Sequence, residues 1–124
     1  MKKYIVIGNP IEHSMSPKLH NFWIKSNSIK AIYSKEKVLK NDLKFTVDRM
    51  RNKKLDGINV TVPHKSDIIP YVDELTKESQ HTQSVNTIFV RNGKIIGHNT
   101  DIAGFDLSLR HAKLNLKNMK VLIL

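Results

Sequence analysis

Short apolar runs alternate with segments of helical spacing along most of this chain, and that alternation restricts it to the α/β class. Tyr4 to Gly8 is an apolar run closed by Gly8-Asn9-Pro10, the pattern of a buried strand. Ser16-Pro17 then opens a helix, with serine at the N-cap and proline at the first helical position. Leu19, Phe22, Trp23 and Ser26 share one face of it, and it fades near Asn27. Ala31 to Val38 reads as a second strand. Asn41 or Asp42 caps a helix striped by Leu43, Val47 and Met50, and Asp56-Gly57 turns into a third strand, Ile58 to Val62. Beyond Pro63 the pattern predicts a short helical stretch stopped by Pro70 and a helix from about Asp73 to Gln80. Val85 to Val90 is a strand, and Asn92-Gly93 signals a hairpin into Lys94 to Gly97. A last helix runs from Asp101 to about His111, with Ile102, Phe105, Leu109 and Ala112 on one side. The expected fold is a three-layer α/β domain, an open and mostly parallel sheet with flanking helices and one antiparallel hairpin.

At 124 residues the chain has the size of one domain and can bury roughly two-thirds of its unfolded surface. It lacks cysteine, which excludes disulfides, thiolate catalysis and cysteine-based zinc sites. No run approaches the roughly 20 apolar residues of a membrane span, and the first apolar run is too short for a signal peptide. The chain therefore reads as cytoplasmic. Lys and Arg number 21 against 11 Asp and Glu, a formal charge of +10 that raises the question of nucleic acid. The lysines are scattered without interleaved aromatics, so a Lys-rich surface is favoured, and the charge would serve better to attract a small anion. The six histidines form no i, i+4 pair and no HExxH string, which argues against a metal. Ser14 with His13 lacks a nucleophile-elbow pattern, which argues against acyl transfer.

Three short stretches gather polar groups where the sheet should end. In His13-Ser14-Met15-Ser16-Pro17 two serines stand just before a helix, whose N-terminus favours a carboxylate or phosphate. Capping alone would account for Ser16 and leave Ser14 free. The preceding Gly8-Asn9-Pro10 loop lies at the carboxyl edge of the first strand, where open α/β sheets bind ligands. In "GINVTVPHK", period-two alternation places Ile58, Val60 and Val62 on one face and Asn59 and Thr61 on the other, with Lys65 just past the strand. Val85-Asn86-Thr87 and Gly97-His98-Asn99-Thr100-Asp101 complete the set. Asp101 has a bland reading as an N-cap, Asn86 and Asn99 as turn residues, and Lys65 as a solvated side chain.

Taken together, "GNPIEHSMSPKLHN", "GINVTVPHK", "DELT", "VNT" and "GHNTD" stand in the order and at the spacing of one family. Over essentially its entire length the chain resembles the substrate-binding domain of shikimate dehydrogenases. The resemblance implies that Ser14 and Ser16 bind the carboxylate of shikimate and that Asn59, Thr61 and Asn86 hydrogen-bond its hydroxyls. It implies that Lys65 and Asp101 are the catalytic pair for the reversible NADPH-dependent reduction of 3-dehydroshikimate to shikimate. Hydride addition leaves charge growing on the carbonyl oxygen, and an ammonium there can supply a cation or a proton.

By the same resemblance, residues 1–118 are the substrate-binding catalytic domain. Residues 119–124 are the first strand of a Rossmann-type domain whose glycine loop would hold NADP, so the chain alone is expected to lack dehydrogenase activity. Lys77 stands after "DELT" where relatives often have an acid, and Ser84 where a Gly or Ala is common. Having both serines of "SMS" favours shikimate over quinate. The expected partner is thus shikimate or 3-dehydroshikimate, with no nucleic acid, no membrane and room for a homodimer. The competing readings are a non-catalytic module that binds a shikimate- or quinate-like acid and, less favoured, a basic nucleic-acid-binding domain.

Overall fold

A computed structural model of the chain describes residues 1–123. It is built on a six-stranded sheet in the order β2-β1-β3-β5-β6-β4. The strands are β1 (Lys2–Gly8), β2 (Ala31–Lys37), β3 (Gly57–Val60), β4 (Glu74–Leu75), β5 (Thr87–Arg91) and β6 (Lys94–His98). The helices are α1 (Ser16–Ser26), α2 (Leu43–Arg51), α3 (Lys77–Thr82) and α4 (Asp101–His111), with single 3₁₀ turns at Lys40–Asp42 and Ile69–Tyr71. β1 pairs in parallel with β2 and β3, and β4 with β6, whereas β5 runs antiparallel to both β3 and β6. The sheet is therefore mixed, with its parallel character concentrated around β1.

Residues paired across neighbouring strands point to the same face. Ile5, Ile7, Ile58, Val60 and Ile88 consequently share one buried face, and α2 covers it with Leu43, Val47 and Met50, the stripe its spacing predicts. Each such side chain contributes roughly 1.5–3 kcal/mol when fully buried. The opposite face carries Tyr4, Val6 and Tyr33, packed with Ile11 and with Ile24 of α1. By the register Val6↔Asn59↔Thr87, that face also carries the polar residues of β3 and β5. β2 is an edge strand, and Asn21 of α1 occupies part of its free edge. Its Nδ2 donates to the Tyr33 carbonyl at 2.7 Å, and its Oδ1 accepts from the Tyr33 N–H at 3.0 Å. The side chain thus does for β2 what a further strand would.

Several expectations are corrected. The face of α1 with Leu19, Phe22 and Trp23 is exposed, and the helix meets the sheet through His20, Asn21 and Ile24 instead. α4 likewise has no fully buried residue. Ile102 and Phe105 are exposed, because no element among the described residues packs over them. The helix expected from Asp73 begins only at Lys77; Glu74–Leu75 pairs with β6 after the Asp73 carboxylate accepts from the Ile95 N–H at 2.7 Å. Pro70 lies inside the 3₁₀ turn rather than ending a helix before it.

Ladder pairing of β3 ends at Val60. Val62 is 67% exposed rather than aligned with Ile58 and Val60, since Pro63 has no N–H with which to extend a ladder. The Val62–Pro63 bond is cis. The hairpin at Asn92-Gly93 matches its signal, with both residues at positive φ (52° and 76°) and Arg91 opposite Lys94. Residues 120–123 form no strand, and Leu124 lies outside the described residues.

The Tyr33 side chain yields a test of this packing. Burial raises its phenol from 10.0 to about 12. The neutral form is favoured in the folded chain, so this contribution is complete below about pH 10 and is lost as pH rises toward 12. Urea unfolding across that window should show wild type losing roughly 2–3 kcal/mol more than Tyr33→Phe. Equal losses in the two proteins would contradict the burial.

Candidate active site

The polar residues singled out in the sequence form two groups beyond the carboxyl ends of the parallel strands, one beside the start of α1 and one around Lys65. Gly8 ends β1 there, and a Cβ in its place would lie 2.7 Å from Cγ2 of Thr61. The absence of a side chain lets the β1 loop and the end of β3 close on each other, and the Thr61 N–H donates to the Ile7 carbonyl at 2.9 Å. A cleft of about 250 Å³ opens beside this contact, with Pro10, Ile11, His13, Ser14, Ser16 and Thr61 in its lining. Ser14, Ser16 and Thr61 are thus brought together.

The helix end beside the cleft differs from the expectation in one respect. Ser16 is the first helical residue, and Met15 holds the N-cap position without a side-chain bond. Ser14 is the serine that accepts from a helix N–H, that of Ser16, at 3.3 Å. Each hydroxyl still has capacity for a ligand, and the helix terminus favours an anion there.

The second group surrounds Lys65. Its backbone is pinned on both sides: the Val85 N–H donates to the Lys65 carbonyl at 2.8 Å, and the Ile68 N–H donates to that of His64 at 3.0 Å. The His64 ring is 1% exposed, and its Nε2 donates to the Val38 carbonyl at 2.7 Å, since a carbonyl can only accept. From this anchored turn the Lys65 ammonium reaches Oδ2 of Asp101 at 2.6 Å, with the lysine side chain 32% and the aspartate 54% exposed. Asp101 is not the cap of α4. Asn99, nearly fully buried, takes that role, its Oδ1 accepting from the Asp101 N–H at 2.8 Å while its Nδ2 holds the Ser84 carbonyl. That substitution frees the Asp101 carboxylate for lysine.

Asn86 ties this pair to the sheet. Its Nδ2 donates to Oδ1 of Asp101 at 2.9 Å and to the Thr100 hydroxyl at 2.8 Å. Its Oδ1 accepts from the Thr87 hydroxyl at 2.9 Å and from the Thr100 N–H at 3.0 Å. All four hydrogen-bonding positions of the amide are filled. Asn59 continues the network, its Nδ2 facing the Asn86 carbonyl at 3.2 Å and the Thr87 hydroxyl at 3.3 Å, and its Oδ1 accepting from the Tyr33 hydroxyl at 2.6 Å. An unbroken chain of bonds thereby runs from Tyr33 to Lys65. Tyr33, Thr87 and Thr100 were not singled out from the sequence. Thr87 stands directly after Asn86 in "VNT", and no motif marks Tyr33.

Among the described residues no group of His, Asp or Glu is arranged to hold a metal, and no helix is long and apolar enough to cross a membrane. The β1–α1 loop, residues 9–15, has no glycine, and the space beside Gly8 at the end of β1 is filled by Thr61 and Ile11 rather than open to a pyrophosphate.

The family model for the shikimate dehydrogenase substrate binding domain matches residues 6–88. The shikimate dehydrogenase (NADP(+)) of Pelagibacter ubique is 52% identical over 123 residues, covering 99% of this chain and 46% of that relative. That of Methanocaldococcus jannaschii is 38% identical over 118 residues, covering 95% of this chain and 42% of the relative. Among solved structures, shikimate 5-dehydrogenase from Listeria monocytogenes in complex with shikimate and NAD superposes with a TM-score of 0.87 at 31% identity, over 94% of this chain and 40% of that one. The Thermus thermophilus enzyme in complex with shikimate gives 0.86 at 30% identity, over 95% and 45%. The chain thus spans less than half the length of these relatives. It belongs to the shikimate dehydrogenase family, of which it carries the substrate-binding domain.

Proposed function

We propose that this chain is the shikimate-recognising, proton-transferring half of an NADP-dependent shikimate dehydrogenase. The reaction is the reversible reduction of 3-dehydroshikimate to shikimate, in the cytoplasm, on the chorismate route to aromatic amino acids. The observation that carries the reading is the Lys65–Asp101 pair at 2.6 Å, fixed at the same sheet edge as the serine-lined cleft. Shikimate is a small monoanion with its carboxylate at one end of the ring and its hydroxyls toward the other. Such a molecule would set its carboxylate on Ser14 and Ser16 and its hydroxyls toward Thr61, Asn59, Asn86 and Asp101.

Within this assignment Lys65 gives a proton to the oxygen that becomes the new hydroxyl and takes it back in the reverse direction. Asp101 aims the ammonium and hydrogen-bonds the same end of the ring. For Asn86 to touch a ligand hydroxyl it must exchange one of its four partners, so its steady role is to hold Asp101. The reducing equivalent belongs to the dinucleotide. No glycine-rich loop follows β1, so the part of the relatives' length that this chain does not span would bind it.

The recognition half is testable with the 124-residue chain alone. Calorimetric titration with shikimate should give saturable binding that Ser14→Ala and Ser16→Ala each weaken roughly tenfold, the scale of one charge-assisted hydrogen bond. Its dependence on salt should be shallow. A steep loss of affinity for oligonucleotides with salt, alongside no shikimate binding, would instead favour the nucleic-acid reading.

The proton-transfer half is read in a chain of the relatives' full length that carries the cofactor domain. There Lys65→Ala should lower kcat by about 10²–10⁴-fold while changing KM little, in steady-state NADPH oxidation. Turnover near wild type would remove Lys65 from the chemistry.

A further inference from the structure

We infer that Tyr33 is a positioning residue for this site, orienting the Asn59 carboxamide and tying the carboxylate-binding helix to the hydroxyl-reading side. This rests on the proposed role of Asn59 in holding a ligand hydroxyl. Three contacts immobilise the tyrosine. Asn21 of α1 takes both its backbone groups, at 2.7 and 3.0 Å. The His20 ring of the same helix stacks on its ring, with centroids 4.1 Å apart and planes 3° from parallel. Its hydroxyl donates to Oδ1 of Asn59 at 2.6 Å.

The direction of the last bond follows from its surroundings. The Asn86 carbonyl can only accept, so the NH₂ of Asn59 must face it and Oδ1 must face Tyr33. The two bonds made by that NH₂ are long, 3.2 and 3.3 Å, so the 2.6 Å bond from Tyr33 is the tightest restraint on the amide. With the NH₂ committed to Asn86 and Thr87, the remaining capacity of Asn59 is a lone pair on Oδ1. It is set to accept from a hydroxyl rather than to donate to a carbonyl or an ether. Tyr33 is 5% exposed, which shields its hydroxyl from bulk water. The helix that begins at Ser16, with Ser14 just before it, is thereby locked, through His20, Asn21 and Tyr33, to the strand that bears Asn59.

Tyr33→Phe removes the donor and retains the ring, its stack on His20 and the Asn21 clamp. In the ligand-free chain, NMR of the Asn59 side-chain amide should show two separate, slowly exchanging proton resonances in wild type and loss of that protection in Tyr33→Phe. For shikimate, Tyr33→Phe should raise Kd roughly tenfold. The double variant with Asn59→Ala should bind no more weakly than Asn59→Ala alone, because the tyrosine acts through that amide. A purely structural role would give additive losses. Additive losses, or an Asn59 amide unchanged in Tyr33→Phe, would overturn the inference. If the wild-type chain does not bind shikimate, the proposed function fails while the amide resonances still decide the role of Tyr33. If Tyr33→Phe does not fold, the Tyr33 Cζ resonance in Asn59→Ala decides, and its failure to move would overturn the inference.

Discussion

The Asn86 carboxamide holds three segments of this chain in one place. It bonds forward to the hydroxyl of its own neighbour on β5, across to the first turn of α4 through Thr100 and Asp101, and it leaves the carbonyl of its backbone to Asn59 on β3. An amide with all four positions satisfied is expensive to disturb, because freeing any one leaves a polar group without a partner. Around it the end of β3, the start of β5 and the start of α4 keep a fixed spacing. Asp101 inherits its position from that spacing, and Lys65 takes its position from Asp101 and from the anchored turn behind it.

Helix capping by neighbouring residues makes this arrangement available. At α4, Asn99 satisfies the first N–H groups, which releases Asp101 to face lysine. At α1, Ser14 takes the N–H of Ser16, and both serines remain at the mouth of the cleft. In each case the side chain closest to the helix start is spared by one standing two residues before it. The site is therefore polar and partly open, with its geometry set by bonds among side chains rather than by deep burial. Its two ends are linked through the α1 face of the sheet, where Tyr33 and Asn59 sit between the serine helix and the lysine turn.

What was legible in the sequence divides along physical lines. Strand positions with uniform apolar runs, the α2 stripe and the Asn92-Gly93 turn were readable, because local propensity and burial point the same way there. Of the motif residues, the fold brings Ser14, Ser16 and Thr61 to one cleft and Lys65, Asn86 and Asp101 to one hydrogen-bonded group, with Asn59 bonded to the backbone of Asn86. The outward face of α1 was not readable. Leu19, Phe22 and Trp23 have the spacing of a packed stripe, while the helix meets the sheet through two polar side chains and Ile24. β4 was missed because two residues of pairing leave no periodic signal and depend on Asp73 reaching Ile95. Tyr33 was missed for a related reason: its importance lies in partners at sequence distances of 12 and 26, which no local pattern encodes.

The central claim is that this domain holds a pre-assembled recognition site for shikimate, with the serine cleft and the lysine–aspartate pair acting on one ligand. An amide NMR titration of the 124-residue chain with shikimate, using quinate as the control, tests it most directly. The account predicts shifts concentrated at Ser14, Ser16, Asn59, Thr61, Asn86 and Asp101, larger with shikimate than with quinate. Shifts confined to other surfaces, or none at millimolar shikimate, would contradict it.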